Sequence, residues 1–121
     1  MKVETIFLLT GNKFSNAISD WATARAGEVV QVSDKIGDFF DRTDSLLIFN
    51  QNQELTTEIQ ELKTAYDKQQ KPVHKIDING TLMVGISNLD LWVETNKCKR
   101  ILVLGAEELV ANHNLERYSH S

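Results

Sequence analysis

Cysteine and proline are nearly absent from this chain; each occurs once among 121 residues. The lone Cys98 has no intramolecular partner, so no disulfide framework staples the fold, and a reducing, cytoplasmic setting is the expectation. With one proline, Pro72, and six glycines, the chain lacks the composition of a disordered tract or a long linker. Long apolar runs are missing too. No stretch approaches the roughly 20 residues a membrane span needs. The N-terminal run, Ile6 to Leu9, is too short for a signal-peptide core and carries no small-residue cleavage pattern. Clustered cations are scarce: the net charge is −4, and Lys97-Cys98-Lys99-Arg100 is the densest basic stretch. A nucleic-acid groove needs such clusters, so neither nucleic acid nor an anionic membrane is an expected partner. His74, His113, His120 and Cys98 match no metal-ligand spacing, and no metal is expected.

What is present is ordinary for a globular protein: 41% apolar and 25% charged residues. The length points to a single domain over residues 1–121, able to bury roughly two-thirds of its unfolded surface. The organising stretch is Ser45 to Ile78. An apolar run ending at Phe49 meets a polar turn, Asn50-Gln51-Asn52-Gln53. A helix-period segment follows from about Gln53 to Lys68, with Leu55, Ile59, Leu62 and Ala65 on one stripe. Lys71-Pro72 then leads into Val73 to Ile78. Strand, helix and strand in that order make a parallel βαβ unit.

The rest of the chain repeats this alternation. Val3 to Leu9 is a strand apolar on both faces, followed by the turn Thr10-Gly11-Asn12-Lys13, with Asn12 suited to cap a helix. Phe14, Ile18, Trp21 and Ala24 give that helix its stripe, and Gly27 is the expected terminator. Val29 to Val32 is a second strand, and Ile36, Phe39 and Phe40 suggest a short helical piece. After the fourth strand, residues 82–86 read as a linker and a helix is expected from about Asn88. Arg100 to Leu104 is the fifth strand, and Glu107 to Arg117 is helix-compatible. The expectation is a three-layer α/β/α Rossmann-like sandwich on a five-stranded parallel sheet, with strand order 2-1-3-4-5 or, as the alternative, 3-2-1-4-5.

Four pieces between Ser45 and Glu108 resemble the molybdenum carrier family, itself similar to nucleoside deoxyribosyltransferase and lysine-decarboxylase-like Rossmann folds. They are Asp44 to Phe49, Leu55-Thr56-Thr57-Glu58-Ile59, Lys71-Pro72-Val73 with Asp77, and Trp92 with Ile101 to Gly105. The resemblance implies a ligand of nucleotide-like or molybdenum-cofactor-like kind at the carboxyl edge of the sheet. Its departures concern the site. The family's glycine-rich first turn is here Thr10-Gly11-Asn12-Lys13, its second glycine-rich stretch is Asn50-Gln51-Asn52-Gln53, and its final Gly-Pro-Arg is Gly105-Ala106-Glu107. An Arg-to-Glu exchange at an anion site reverses the charge.

Candidate ligand-binding residues are therefore Thr10, Gly11, Asn12 and Lys13 in the first turn, Asn50, Asn52 and Thr56 around the third helix, and Gly105 after the fifth strand. Turn and capping chemistry accounts for the same residue types. Glu58 and Asp77 are the candidate catalytic carboxylates. By resemblance, a helix-borne Glu58 would attack a sugar anomeric carbon. The bland alternative is a helix-start acid stabilised by the macrodipole. The cofactor is unspecified. A nucleotide-like molecule is the expected partner. A non-catalytic interaction module that pairs with a second copy of the chain, in part through helix-borne Trp residues, stays open as an alternative.

Overall fold

The computed structural model describes residues Met1–Ser121. Five strands form one sheet: β1 (Val3–Leu9), β2 (Ala26–Val32), β3 (Ser45–Asn50), β4 (Val73–Asp77) and β5 (Arg100–Gly105). Every pairing in it is parallel. The organising unit stands as expected. β3 pairs with β4, Leu46 opposite Val73 and Asn50 opposite Asp77, across the helix α3 (Thr57–Lys68).

The spatial order is β2-β1-β5-β3-β4. This corrects both expected orders, which left β5 at an edge. The cause is burial. In β3 every residue is buried, and in β5 all except Arg100 are. Such strands need neighbours and helices on all sides. β4 carries His74, Lys75 and Asp77, and β2 exposes Glu28 and Gln31, so both tolerate an edge.

Helices α1 (Lys13–Ala17), α2 (Ser19–Arg25), α4 (Leu82–Asn96) and α5 (Asn114–Ser119) cover one face. Alternate strand residues point there: Ile6 and Leu8, Leu47 and Phe49, Ile101 and Val103. Phe49 is the hub of this layer, with ring centroids 5.6 Å from Phe14, 5.5 Å from Trp21 and 5.9 Å from Tyr118. The opposite face holds Phe7, Leu46, Ile48, Leu102 and Leu104 under α3 and the short 3-10 turns Ile36–Asp38 and Phe40–Arg42. The three layers are those expected. No helix is long and apolar enough to cross a membrane.

Four local expectations are corrected. Gly27 does not end a helix; it lies within β2, and Gly11 is the glycine with positive φ. The stripe from Phe14 to Ala24 is two helices that meet at Ile18. The supposed linker 82–86 is the start of α4. The segment Glu107 to Arg117 is a 3-10 turn, Glu107–Ala111, then α5. Asn112 breaks it: its Oδ1 accepts from Asn114 N–H at 2.9 Å, drawing the backbone out of helix.

Candidate functional site

α1 and α2 follow β1 on one face, while α3 follows β3 on the other. Between those two strands sits β5. Divergent connections leave a crevice at the strands' carboxyl ends. Two adjoining hollows occupy it and share Thr56, Ile59, Ala106 and Glu108 as walls. The larger, about 380 Å³, has an apolar floor that includes Leu9, Phe39, Leu62 and Leu104. The smaller, about 120 Å³, runs between Phe49, Asn50 and Leu109.

Of the expected site residues, Asn12, Asn50, Thr56, Glu58 and Gly105 line this cleft. Thr10, Gly11, Lys13, Asn52 and Asp77 do not. Asn12 caps α1, accepting from Ser15 N–H at 3.0 Å, as its sequence position suggests. Thr56 caps α3 in the same way, accepting from Ile59 N–H at 3.2 Å. The next amides, of Thr57 and Glu58, belong to the helix start that has no intrahelical acceptor. Glu58 is exposed on the cleft wall.

Asp77 faces elsewhere. Its Oδ2 accepts from Gln53 N–H at 3.1 Å and its Oδ1 from Asn79 N–H at 2.9 Å. The structure does not bring Glu58 and Asp77 together; Asp77 braces the turn after β3 and lines a separate depression beside α4. Asn52 also works in bracing. Asn79 Nδ2 donates to Asn52 Oδ1 at 3.1 Å, while Asn79 Oδ1 accepts from Asn112 and Asn114, each at 2.8 Å. Asn112 also donates to Gln51 Oε1 at 2.9 Å. These amides tie three loops of the carboxyl edge into one rim.

Lys13 supplies a backbone group. Its N–H donates to Glu107 Oε2 at 2.8 Å, so the chain's own carboxylate sits at the start of α1, where the family resemblance led one to expect a ligand anion. Asp34, Glu54, Glu107 and Glu108 join Glu58 on the walls, and no Lys, Arg or His lines either hollow. Glu107 belongs to the Gly105-Ala106-Glu107 strand end, whereas Glu108, one residue on, and Asp34, two residues after β2, are not among the expected site residues; their placement at strand ends is the signal that could have flagged them.

Asn50 stands out. It is 3% exposed at the last position of β3. Its backbone carbonyl accepts from Ile78 N–H at 2.9 Å, yet its buried Oδ1 has no hydrogen-bond partner. An unmet buried acceptor costs about 1–3 kcal/mol. Nearly all buried polar groups in native proteins are satisfied, so this one calls for an explanation.

Fold and site together define the class: a small Rossmann-like α/β protein with an acidic cleft at the carboxyl edge of a parallel sheet. No family model, curated protein or solved structure matches the chain.

Proposed function

We propose that this protein binds a small polar molecule in the cleft at the carboxyl ends of β1, β5 and β3. The observation that carries this reading is Asn50, buried on the wall of the hollow with its carboxamide oxygen unpartnered. Of the nucleotide-like and molybdenum-cofactor-like ligands that the resemblance suggests, the phosphorylated forms fit poorly. The walls offer no cation, and Glu107 already takes the amide of Lys13.

The test uses the near-isosteric variant Asn50→Leu. Removing an unsatisfied buried acceptor is expected to raise stability by about 1 kcal/mol. The same variant is expected to lose any ligand-induced rise in melting temperature across a panel of nucleosides, pterins and amines, since a ligand that binds only the folded state stabilises it by mass action. A destabilised Asn50→Leu protein that still responds to the same ligands would show that Asn50 is structural and the reading wrong.

A second reading keeps Glu58 as a nucleophile on an N-glycosidic bond, because Glu58 lines this same cleft. Its carboxylate would form a bond to the anomeric carbon as the base departs, and water would release the sugar. Base release from nucleosides by the native protein, abolished in Glu58→Gln, is the expected result; equal rates from the two proteins refute it.

A further inference from the structure

Resting on that reading, we infer that the group the cleft recognises is an organic ammonium ion: the ligand is a small aliphatic amine, positively charged at neutral pH. Three observations converge. Asp34, Glu54, Glu58, Glu107 and Glu108 stand on the walls with no basic side chain among them. Like charges gathered in a concave surface with low-dielectric walls concentrate a field that draws in cations and repels phosphates. Asn50, on the wall of the smaller adjoining hollow, supplies the second observation, independent of charge: its orphaned atom is an acceptor, so the complement is an N–H or O–H donor. An ammonium group carries three donors and no acceptor. The third is the floor, where Leu9, Phe39, Ile59, Leu62 and Leu104 give an alkyl chain apolar surface to cover.

A metal ion is the other cation to weigh. No three carboxylate, imidazole or thiol side chains of the chain converge with metal-ligand geometry. Asp34, Glu58, Glu107 and Glu108 are instead spread around an opening of about 380 Å³, within the range of small-molecule sites, and Glu54 lies on the smaller hollow beside it. Spread charges suit an extended organic cation, which meets them one at a time.

The experiment measures thermal shift and calorimetric binding with putrescine and spermidine, against 1,4-butanediol, adenosine and inorganic phosphate. It uses the native protein, Asn50→Leu, and the double variant Glu58→Gln/Glu108→Gln. The amines are expected to raise the melting temperature saturably, and butanediol and phosphate are not. Raising the salt to about 0.15 M should weaken amine binding, since exposed charges are screened over roughly 8 Å there. Each lost carboxylate should cost roughly two- to fivefold in affinity, as exposed ion pairs do. The double variant should be at least as stable as the native protein without ligand, because the substitutions relieve repulsion. If adenosine binds in an Asn50-dependent way and the amines do not, the ammonium inference falls while ligand binding in the cleft stands. If amine binding is undiminished in the double variant, the inference also falls. If none of the probes binds, it falls together with the reading beneath it.

Discussion

Gly105 shows how one residue can serve packing and cleft at once. It ends β5 and lines the larger hollow. A Cβ there would meet the Phe14 ring at 2.6–2.8 Å. Phe14 is fully buried, so a side chain at position 105 would have to displace its ring from the core, and glycine lets the helix lie on the strand. Gly105→Ala is expected to destabilise the fold by about 1–3 kcal/mol, the usual cost of overpacking, read from urea unfolding. Asp44 is a second case. The resemblance places it in a family strand motif, and here it holds the amino ends of two strands together: Oδ2 accepts from Lys99 N–H at 2.9 Å and Arg100 N–H at 3.0 Å. Asp44→Ala frees both amides and should cost about 2 kcal/mol, since bonds to a charged acceptor are worth about 1.5–3 kcal/mol.

Among the elements, α3 decides where the cleft opens. The stripe Leu55, Ile59, Leu62 announces the helix in the sequence, yet its start is not legible there. Asn52 and Gln53 take left-handed φ of 54° and 60°, forming a turn that a helical period does not foresee. The helix begins only at Thr57, capped by Thr56. Thr56→Ala should cost about 1 kcal/mol, measurable as a lower midpoint in denaturant. α4 was misread in the opposite direction. Gly85 lies inside the helix, in the residues expected as a linker, where a Cβ would collide with the Tyr118 hydroxyl. A glycine that makes room for a neighbour is indistinguishable, in sequence, from one that ends a helix. The candidate residues divided for the same reason. Asn12 caps its helix through a local bond that spacing suggests. Thr56 becomes a cap only because the turn at Asn52 and Gln53 delays the start of α3, and the roles of Asn52 and Asp77 depend on Asn79 and Gln53 arriving from other loops.

At the scale of the whole molecule, stability should depend on pH at both ends of the range. Burial pushes the His74 imidazole below its ordinary value of 6.5, and the ring stacks on Trp92 at 5.3 Å, joining β4 to α4. The unfolded chain therefore takes up a proton that the folded one refuses. This contribution is complete above 6.5 and is lost as pH falls below it. Burial pushes the Tyr66 phenol up to about 12 from an ordinary 10.0, while Thr43 Oγ1 lies 2.6 Å from its oxygen. Here the unfolded chain gives up its proton first, so the contribution is complete below 10.0 and is lost as pH rises towards 12. Urea midpoints across pH should fall on both sides. His74→Phe should flatten the acid limb above the carboxylate range, and Tyr66→Phe the alkaline limb; unchanged limbs would contradict these assignments.

The sequence by itself determined the βα alternation, the all-parallel class, the stripe of α3 and the cap Asn12. All of these follow from periods and local bonds within a few residues. Tertiary structure decided that β5 enters between β1 and β3 instead of joining an edge. Neighbouring strands in a chain tend to be neighbours in space, but burial overrides that tendency when the last strand is buried on both faces. That insertion brings Gly105, Glu107 and Glu108 opposite Thr56 and Glu58, and so creates a cleft whose charge and orphaned acceptor belong to no single segment.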